Sequence, residues 1–192
     1  ASKSAGLSEY IKTRVDATDE MKAANFAQGD IITTVLTCAR GETILLRLDT
    51  TLPRSYSRDF TVRGTKGLYM QDTNSVFLDG DEESFEPVEY YKKALNNAVK
   101  FEDEYLPGIW KNVTEETLKA GHGGMDWFAY MGFTDALING EEMPVDVYDA
   151  ATWQAVAVLS EMSIKQGGAP QIMPDFTNGK WFKRPRKDVC RL

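Results

Sequence analysis

The only histidine of the chain, His122, sits in the run Gly121-His122-Gly123-Gly124-Met125-Asp126, directly before the apolar stretch Trp127-Phe128-Ala129-Tyr130-Met131. Histidine is the side chain whose ordinary pKa lets it take and give protons near neutrality. Glycines around it allow close approach of a ligand to the backbone. The chemistry on offer is acid–base catalysis or a hydrogen bond to a substrate hydroxyl. Asp126, four residues on, is placed to orient the imidazole or to start a helix favourably. Backbone donors at that helix start suit an anion or a sugar oxygen. A tight glycine loop with Asp126 as a cap accounts for the same residues without chemistry. A single histidine excludes a multi-histidine metal site.

A second constellation is Asp49-Thr50-Thr51-Leu52-Pro53-Arg54-Ser55-Tyr56-Ser57-Arg58. Its two arginines, its tyrosine and its four hydroxyls suit a polyhydroxylated or anionic ligand, through forked guanidinium donors and ring contact. They suit a subunit contact equally well. Asp146-Val147-Tyr148-Asp149 reads as a helix start capped by Asp146 or Asp149, with Tyr148 free to face a cleft. Lys180, Lys183, Arg184, Arg186, Lys187 and Arg191 form a basic tail interleaved with Trp181 and Phe182. On an acidic chain this fits a tail folded over its own or a neighbour's surface better than a nucleic-acid site. The acidic stretch Asp79 to Glu89 lacks the ligand spacing of a calcium loop and reads as a solvated connection.

The elements that must position these residues fall in two halves. Ile31–Ala39 and Thr43–Asp49 read as a β-hairpin around Arg40-Gly41-Glu42, because β-branched residues dominate the first arm and apolar residues alternate in the second. Asp59–Arg63, Leu68–Gln71 and Ser75–Leu78 extend this to about five strands in meander order, with Pro53 breaking the pattern and Gly64-Thr65-Lys66-Gly67 as a turn. Residues 1–29 read as a polar lead-in with weak helical content. The second half predicts helices over Tyr90–Tyr105, from Thr114, over Asp126–Asn139 closed by Gly140, and over Asp149–Lys165 closed by Gly167-Gly168. In the last of these, Trp153, Val156, Ala157, Ser160 and Ile164 define one apolar stripe. Pro170 to Leu192 reads as mostly irregular.

With 192 residues, 42% hydrophobic and 27% charged, the chain has the composition of one globular domain. A net charge of −7 argues against a general nucleic-acid binder. No apolar run reaches the roughly 20 residues of a membrane span. Two cysteines, Cys38 and Cys190, are no disulfide framework, and Cys38 reads as a small apolar residue of the hairpin. No strand precedes Gly121-His122-Gly123-Gly124, so it is not a dinucleotide-binding fingerprint. The sequence sets no compartment; soluble, cytoplasmic and exported bacterial origins all fit.

Taken together, Gly121–Asp126, Asp146-Val147-Tyr148-Asp149-Ala150-Ala151-Thr152-Trp153 and Pro174-Asp175-Phe176-Thr177-Asn178-Gly179-Lys180-Trp181 resemble the Gfo/Idh/MocA oxidoreductases. They are most like the glycoside hydrolase family 109 branch, the NAD-dependent α-N-acetylgalactosaminidases. Pro53-Arg54-Ser55-Tyr56-Ser57-Arg58 and Gly64-Thr65-Lys66-Gly67 are similar to that branch too. The resemblance covers nearly the whole chain, but only the C-terminal half of such proteins. It implies an α+β fold, an open, mostly antiparallel sheet with helices packed on one face, and no Rossmann domain. It implies a single substrate-binding and oligomerisation domain over residues 1–192, with homo-oligomer contacts through the sheet. The expected partners are a carbohydrate substrate and an N-terminal Rossmann domain of the same protein, with neither nucleic acid nor membrane. The chain alone carries no cofactor and no metal, whereas the full-length protein uses NAD as a glycosidase or sugar dehydrogenase. The chain alone is therefore expected to be inactive. On this reading His122, Gly123, Gly124, Asp126 and Trp127 face the sugar, and Arg54 and Tyr56 complete the site or an oligomer contact. Of these, His122 is the candidate catalytic group. A non-catalytic carbohydrate-binding or assembly module, or a plain dimerisation domain, are the rival readings.

Overall fold

A computed structural model describes residues 1–4, 6–26, 29–50, 53–81 and 87–184. In chain order the described residues form β1 (Ser2–Ser4), α1 (Gly6–Lys12), α2 (Asp19–Ala23), β2 (Ile31–Thr37), β3 (Thr43–Asp49), β4 (Thr61–Arg63), β5 (Gly67–Met70) and β6 (Ser75–Leu78). There follow α3 (Pro87–Ala94), α4 (Glu102–Tyr105), α5 (Gly108–Lys111), α6 (Glu115–Lys119), α7 (Met125–Asn139) and α8 (Val147–Lys165). The fold is α+β, with two antiparallel three-stranded sheets of order β1-β2-β3 and β4-β5-β6. The chain divides into two compact units: one runs from Ala1 to Arg54 and resumes at Val145, and the other runs from Ser55 to Pro144. The acidic residues 82–86 and the tail from residue 185, with Arg186, Lys187, Cys190 and Arg191, lie outside the described residues.

In the first unit the expected hairpin forms, with Thr37 opposite Thr43 and Ile31 opposite Asp49, and its first strand ends at Thr37 rather than Ala39. The strand β1 was not expected. Ser2-Lys3-Ser4 has no strand pattern, and it becomes a strand because β2 offers a free edge with which it pairs over three residues. Asp30, only 4% exposed, fixes this corner. Its carboxylate accepts from the Leu7 amide of α1 at 2.6 Å and its own amide donates to the Ser4 carbonyl at 2.9 Å.

Residues opposite one another in an antiparallel pair share a face. Ile32, Thr34 and Leu36 therefore lie with Leu48, Leu46 and Ile44. The long helix α8 meets this face at β2, where the Thr34 and Ser160 hydroxyls lie 2.9 Å apart and both are buried, whereas Ile44, Leu46 and Leu48 of β3 stay 44%, 41% and 49% exposed. Of the expected helical stripe, Val156, Ser160 and Ile164 turn inward, whereas Ala157 is exposed and Trp153 is 61% exposed. The opposite face of the sheet is open: Val35 and Leu45, directly paired, are 60% and 66% exposed.

Ser160 also donates to the Val156 carbonyl at 2.7 Å, leaving its oxygen to accept from Thr34. Ser160→Ala strands the Thr34 hydroxyl in the interior and is expected to cost about 1–3 kcal/mol. Adding Thr34→Val removes the stranded group and is expected to restore most of that stability, which urea unfolding of the two single variants and the double variant will measure.

In the second unit β5 lies between β4 and β6. The single meander expected from the sequence is thus two sheets, because β3 and β4 are separated by the segment carrying Pro53 and do not pair. The helix expected over Tyr90–Tyr105 is broken. Asn96 adopts a left-handed φ of 58°, a 3₁₀ turn covers Asn97–Phe101, and α4 follows. The cause is a side chain acting as a strand: the Asn97 amide accepts from the Val76 N–H at 2.6 Å and donates to its carbonyl at 2.8 Å. These bonds satisfy the backbone of β6 and pull the chain out of the helix. The short helix α5 was not expected, whereas the helices expected from Thr114, over Asp126–Asn139 and over Asp149–Lys165 form as α6, α7 and α8, the last starting at Val147. α6 is capped by Thr114, whose hydroxyl accepts from the Thr117 amide at 3.2 Å. α7 closes at Gly140, whose φ of 64° ends it in a left-handed turn.

Candidate functional site

The loop between α6 and α7 carries the histidine. Gly121, His122, Gly123 and Gly124 have φ of 84°, 43°, 69° and 92°. A right-handed helix thus ends, the chain runs left-handed for four residues, and a new helix begins. Such a run is tolerable because three of its residues are glycine. The Gly124 amide donates to the Gly121 carbonyl at 2.8 Å and closes the turn. A Cβ on Gly124 would lie 3.2 Å from the Thr117 carbonyl of α6, so the helices approach each other only over bare backbone. Trp110 of α5 packs edge-on against Phe128, with ring centroids 4.7 Å apart, and holds the start of α7.

On this support the His122 Nδ1 lies 2.7 Å from an Asp126 carboxylate oxygen. An ionised carboxylate only accepts, so Nδ1 carries the hydrogen, which in the neutral ring leaves the lone pair on Nε2. The His122 and Asp126 side chains are 73% and 60% exposed, so the pair stands at the surface with the imidazole oriented but solvated. This arrangement can accept a proton or a hydroxyl hydrogen from a bound ligand.

A second loop reaches the first. The Ser57 hydroxyl lies 2.6 and 2.7 Å from the two Asp72 carboxylate oxygens and accepts from the Asp59 amide at 2.7 Å. With Asp59 left-handed at φ 48°, the chain is pinned just before β4. The Arg58 guanidinium then donates to the Tyr56 hydroxyl at 3.4 Å and reaches the Met125 sulfur at 3.8 Å. Tyr56, singled out from the sequence, is thereby linked through Arg58 to the histidine loop. Arg58 is read from the sequence only as one of the two arginines of its constellation, not as a residue facing the sugar. Its signal is the spacing of two from Tyr56, which in extended chain puts both side chains on one side. Arg54 belongs to the other unit, where its Nε lies 3.5 Å from Asp49. Trp127, in the first turn of α7, is 45% exposed.

The other two motifs are built as local scaffolds. Asp146 and Asp149 form a capping box on α8: the Asp146 carboxylate accepts from the Tyr148 and Asp149 amides, and Asp149 accepts from the Asp146 amide. Arg184 closes over both carboxylates at 2.8–2.9 Å, and its contact with Asp149, 35 positions away, is one that no local pattern announces. Tyr148 is 45% exposed beside this cap. In the Pro174–Trp181 motif the Asp175 carboxylate accepts from the Thr177 hydroxyl and amide and from the Gly179 amide, at 2.6–2.9 Å. The Thr177 hydroxyl bond, followed by the amide bonds, holds the Asp175 carboxyl below the usual carboxylate range. A lowered carboxyl stabilises the folded loop above its unfolded pKa of about 4, and that stability is lost as pH falls through the lower folded value. Trp181 fluorescence is therefore expected to change below about pH 4. Asp175→Asn should abolish that transition.

The described residues do not fit a dinucleotide loop. Such a loop follows a strand and opens a helix, whereas the glycines here follow the helix α6. Among the described residues no cluster of three metal-ligating side chains occurs, and no helix is long and apolar enough to cross a membrane.

Fold and site thus define an α+β domain with open antiparallel sheets that presents one oriented histidine on a glycine loop and has no dinucleotide loop among its described residues. The family model "Glycosyl hydrolase 109, C-terminal domain" matches residues 1–183. The chain belongs to the glycosyl hydrolase 109 family and is its C-terminal domain. A glycosyl hydrolase family 109 protein of Stenotrophomonas maltophilia is 42% identical over 185 residues, covering 96% of this chain and 39% of the relative. An alpha-N-acetylgalactosaminidase of Tannerella forsythia is 37% identical, covering 96% of this chain and 38% of the relative. One of Shewanella oneidensis is 33% identical, covering 92% and 38%. The chain therefore spans about two-fifths of the length of the curated relatives it matches.

Proposed function

We propose that this chain is the substrate-binding and oligomerisation domain of an NAD-dependent sugar glycosidase whose substrate is an α-N-acetylgalactosaminide. The observation that carries the reading is the His122–Asp126 pair, held at 2.7 Å on a left-handed glycine loop in a chain of this family. His122 binds or deprotonates a sugar hydroxyl through Nε2, with Asp126 orienting it. Tyr56, Trp127 and the backbone of Gly123 and Gly124 contribute substrate contacts. NAD belongs to the remaining part of a longer protein, a Rossmann domain, and this chain alone is inactive.

Two exposed surfaces support a domain that works covered. On α7, Trp127, Tyr130, Phe133 and Leu137 follow one another at helical spacing and are 45%, 65%, 50% and 61% exposed. Exposed apolar stripes of this kind mark interaction surfaces. The stripe begins at the histidine loop, so a further domain seated on it would close the site. The open face of the first sheet, with Val35 and Leu45, suits self-association.

The test is a fusion of this chain to the part of the Stenotrophomonas relative that it does not match. With NAD the fusion is expected to hydrolyse an α-N-acetylgalactosaminide, whereas the 192-residue chain shows neither turnover nor NAD binding by calorimetry. Micromolar binding of NAD to the chain alone overturns the division of labour. Sugar affinity by the chain with no turnover by a folded fusion favours a non-catalytic carbohydrate-binding module.

A further inference from the structure

We infer that Arg58 is a substrate-positioning residue that reads the acetamido carbonyl of the sugar, beside the ring face of Tyr56 and the imidazole of His122; this rests on the sugar-binding reading above. Arginine presents five N–H donors in a fixed fork. Here the partners of that fork are a tyrosine hydroxyl at 3.4 Å and a thioether sulfur at 3.8 Å, both neutral, and a thioether is a weak acceptor. No carboxylate pairs with Arg58 among the described residues, although Asp72 lies on the same loop system, bound to Ser57. The fork therefore keeps donors for an outside oxygen.

Its direction is set in advance. Ser57 is fastened to Asp72 and Asp59 is turned left-handed, so Arg58 is aimed at Met125, the neighbour of Asp126. Tyr56 is 80% exposed, offering a flat apolar face of the kind that packs against a sugar ring. The Tyr56 hydroxyl and the Arg58 donors stand together at 3.4 Å, and Arg58 reaches the histidine loop at Met125, with the carboxylate of Asp126 next in the chain and that of Asp72 bound to the neighbouring Ser57. Such a site suits a neutral carbonyl oxygen better than an anion. The hydrogen bond from a charged donor supplies the discrimination between an N-acetylated sugar and its plain counterpart.

The experiment is a titration of the ¹⁵N-labelled 192-residue chain with N-acetylgalactosamine, galactose and inorganic sulfate, followed on the Arg58 Nε–H and backbone resonances. Wild type is expected to prefer N-acetylgalactosamine about 10-fold and to move the Arg58 signal with that sugar. Arg58→Met should bind both sugars at the weaker, galactose-like affinity, and Arg58→Lys should keep part of the preference. The backbone spectrum establishes that each variant is folded. A preference retained in Arg58→Met overturns the proposal while leaving the sugar-binding reading standing. An equal response of the Arg58 signal to sulfate makes it an anion site and overturns it too. Failure of wild type to bind either sugar removes both readings.

Discussion

Replacing His122 by Ala in the fused protein is expected to lower kcat/KM by about 10²–10⁴, the usual contribution of a positioned acid or base. Stability should change by no more than about 0.5 kcal/mol, because the side chain stands at the surface. The imidazole is 73% exposed and hydrogen-bonds a carboxylate that is itself 60% exposed, so removing it opens no cavity and buries no unpaired group. The two readings of this loop are thereby separated. If His122 serves only to shape a turn, Ala should lower the melting temperature and leave kcat nearly untouched. If it faces the sugar, turnover falls and the melting temperature stays. Asp126→Asn refines the result. An amide in place of the carboxylate accepts less strongly from Nδ1, so the imidazole is less well oriented and a smaller loss of kcat is expected.

Gly121→Ala is expected to damage the same site through the backbone. At φ 84° and ψ 134° the residue occupies a region that side chains avoid, and a Cβ there would fall 2.4 Å from an Asp126 carboxylate oxygen. Strain of this kind costs about 1–3 kcal/mol. For a chain of this size that lowers the melting temperature by several degrees, about 2–4 °C for each kcal/mol. Asp126 must also move, so His122 loses its orienting partner and turnover falls with stability. Gly123→Ala is the control. Its φ of 69° and ψ of 30° lie in the ordinary left-handed well, with no atom within 4 Å of the added carbon, so only about 1–2 kcal/mol should be lost. Thermal unfolding and the His122 ring resonances of the two variants measure this difference. Equal losses would mean that the contact with Asp126 plays no part.

Much of this architecture was legible in the sequence where its causes are local. The hairpin over Ile31–Asp49 follows from β-branched residues on either side of a glycine turn, and the structure forms it. The starts of α6 and α8 follow from Thr114 and Asp146, because a side-chain oxygen at a helix start meets amides that have no helical partner. The end of α7 follows from Gly140 for the corresponding reason at the carbonyl end. The His122–Asp126 pair was readable too, since four residues is one turn.

What the sequence left undecided depended on partners distant along the chain. Ser2–Ser4 is a strand only because β2 has an edge to pair with, and the expected helix after Tyr90 breaks because Asn97 finds the backbone of Val76. Which side of α8 is core was decided by the meeting of Ser160 with Thr34, 126 positions away, and that turned Trp153 outward. Likewise Arg58 reached the histidine loop through Met125, 67 positions along. Amino-acid pattern by itself determined the hairpin, the caps and the glycine loop with its oriented histidine, since these rest on bonds and steric limits within a few residues. Only the tertiary structure decided which faces are covered and which arginine reaches the histidine loop, because burial and long side-chain contacts depend on what folding brings alongside.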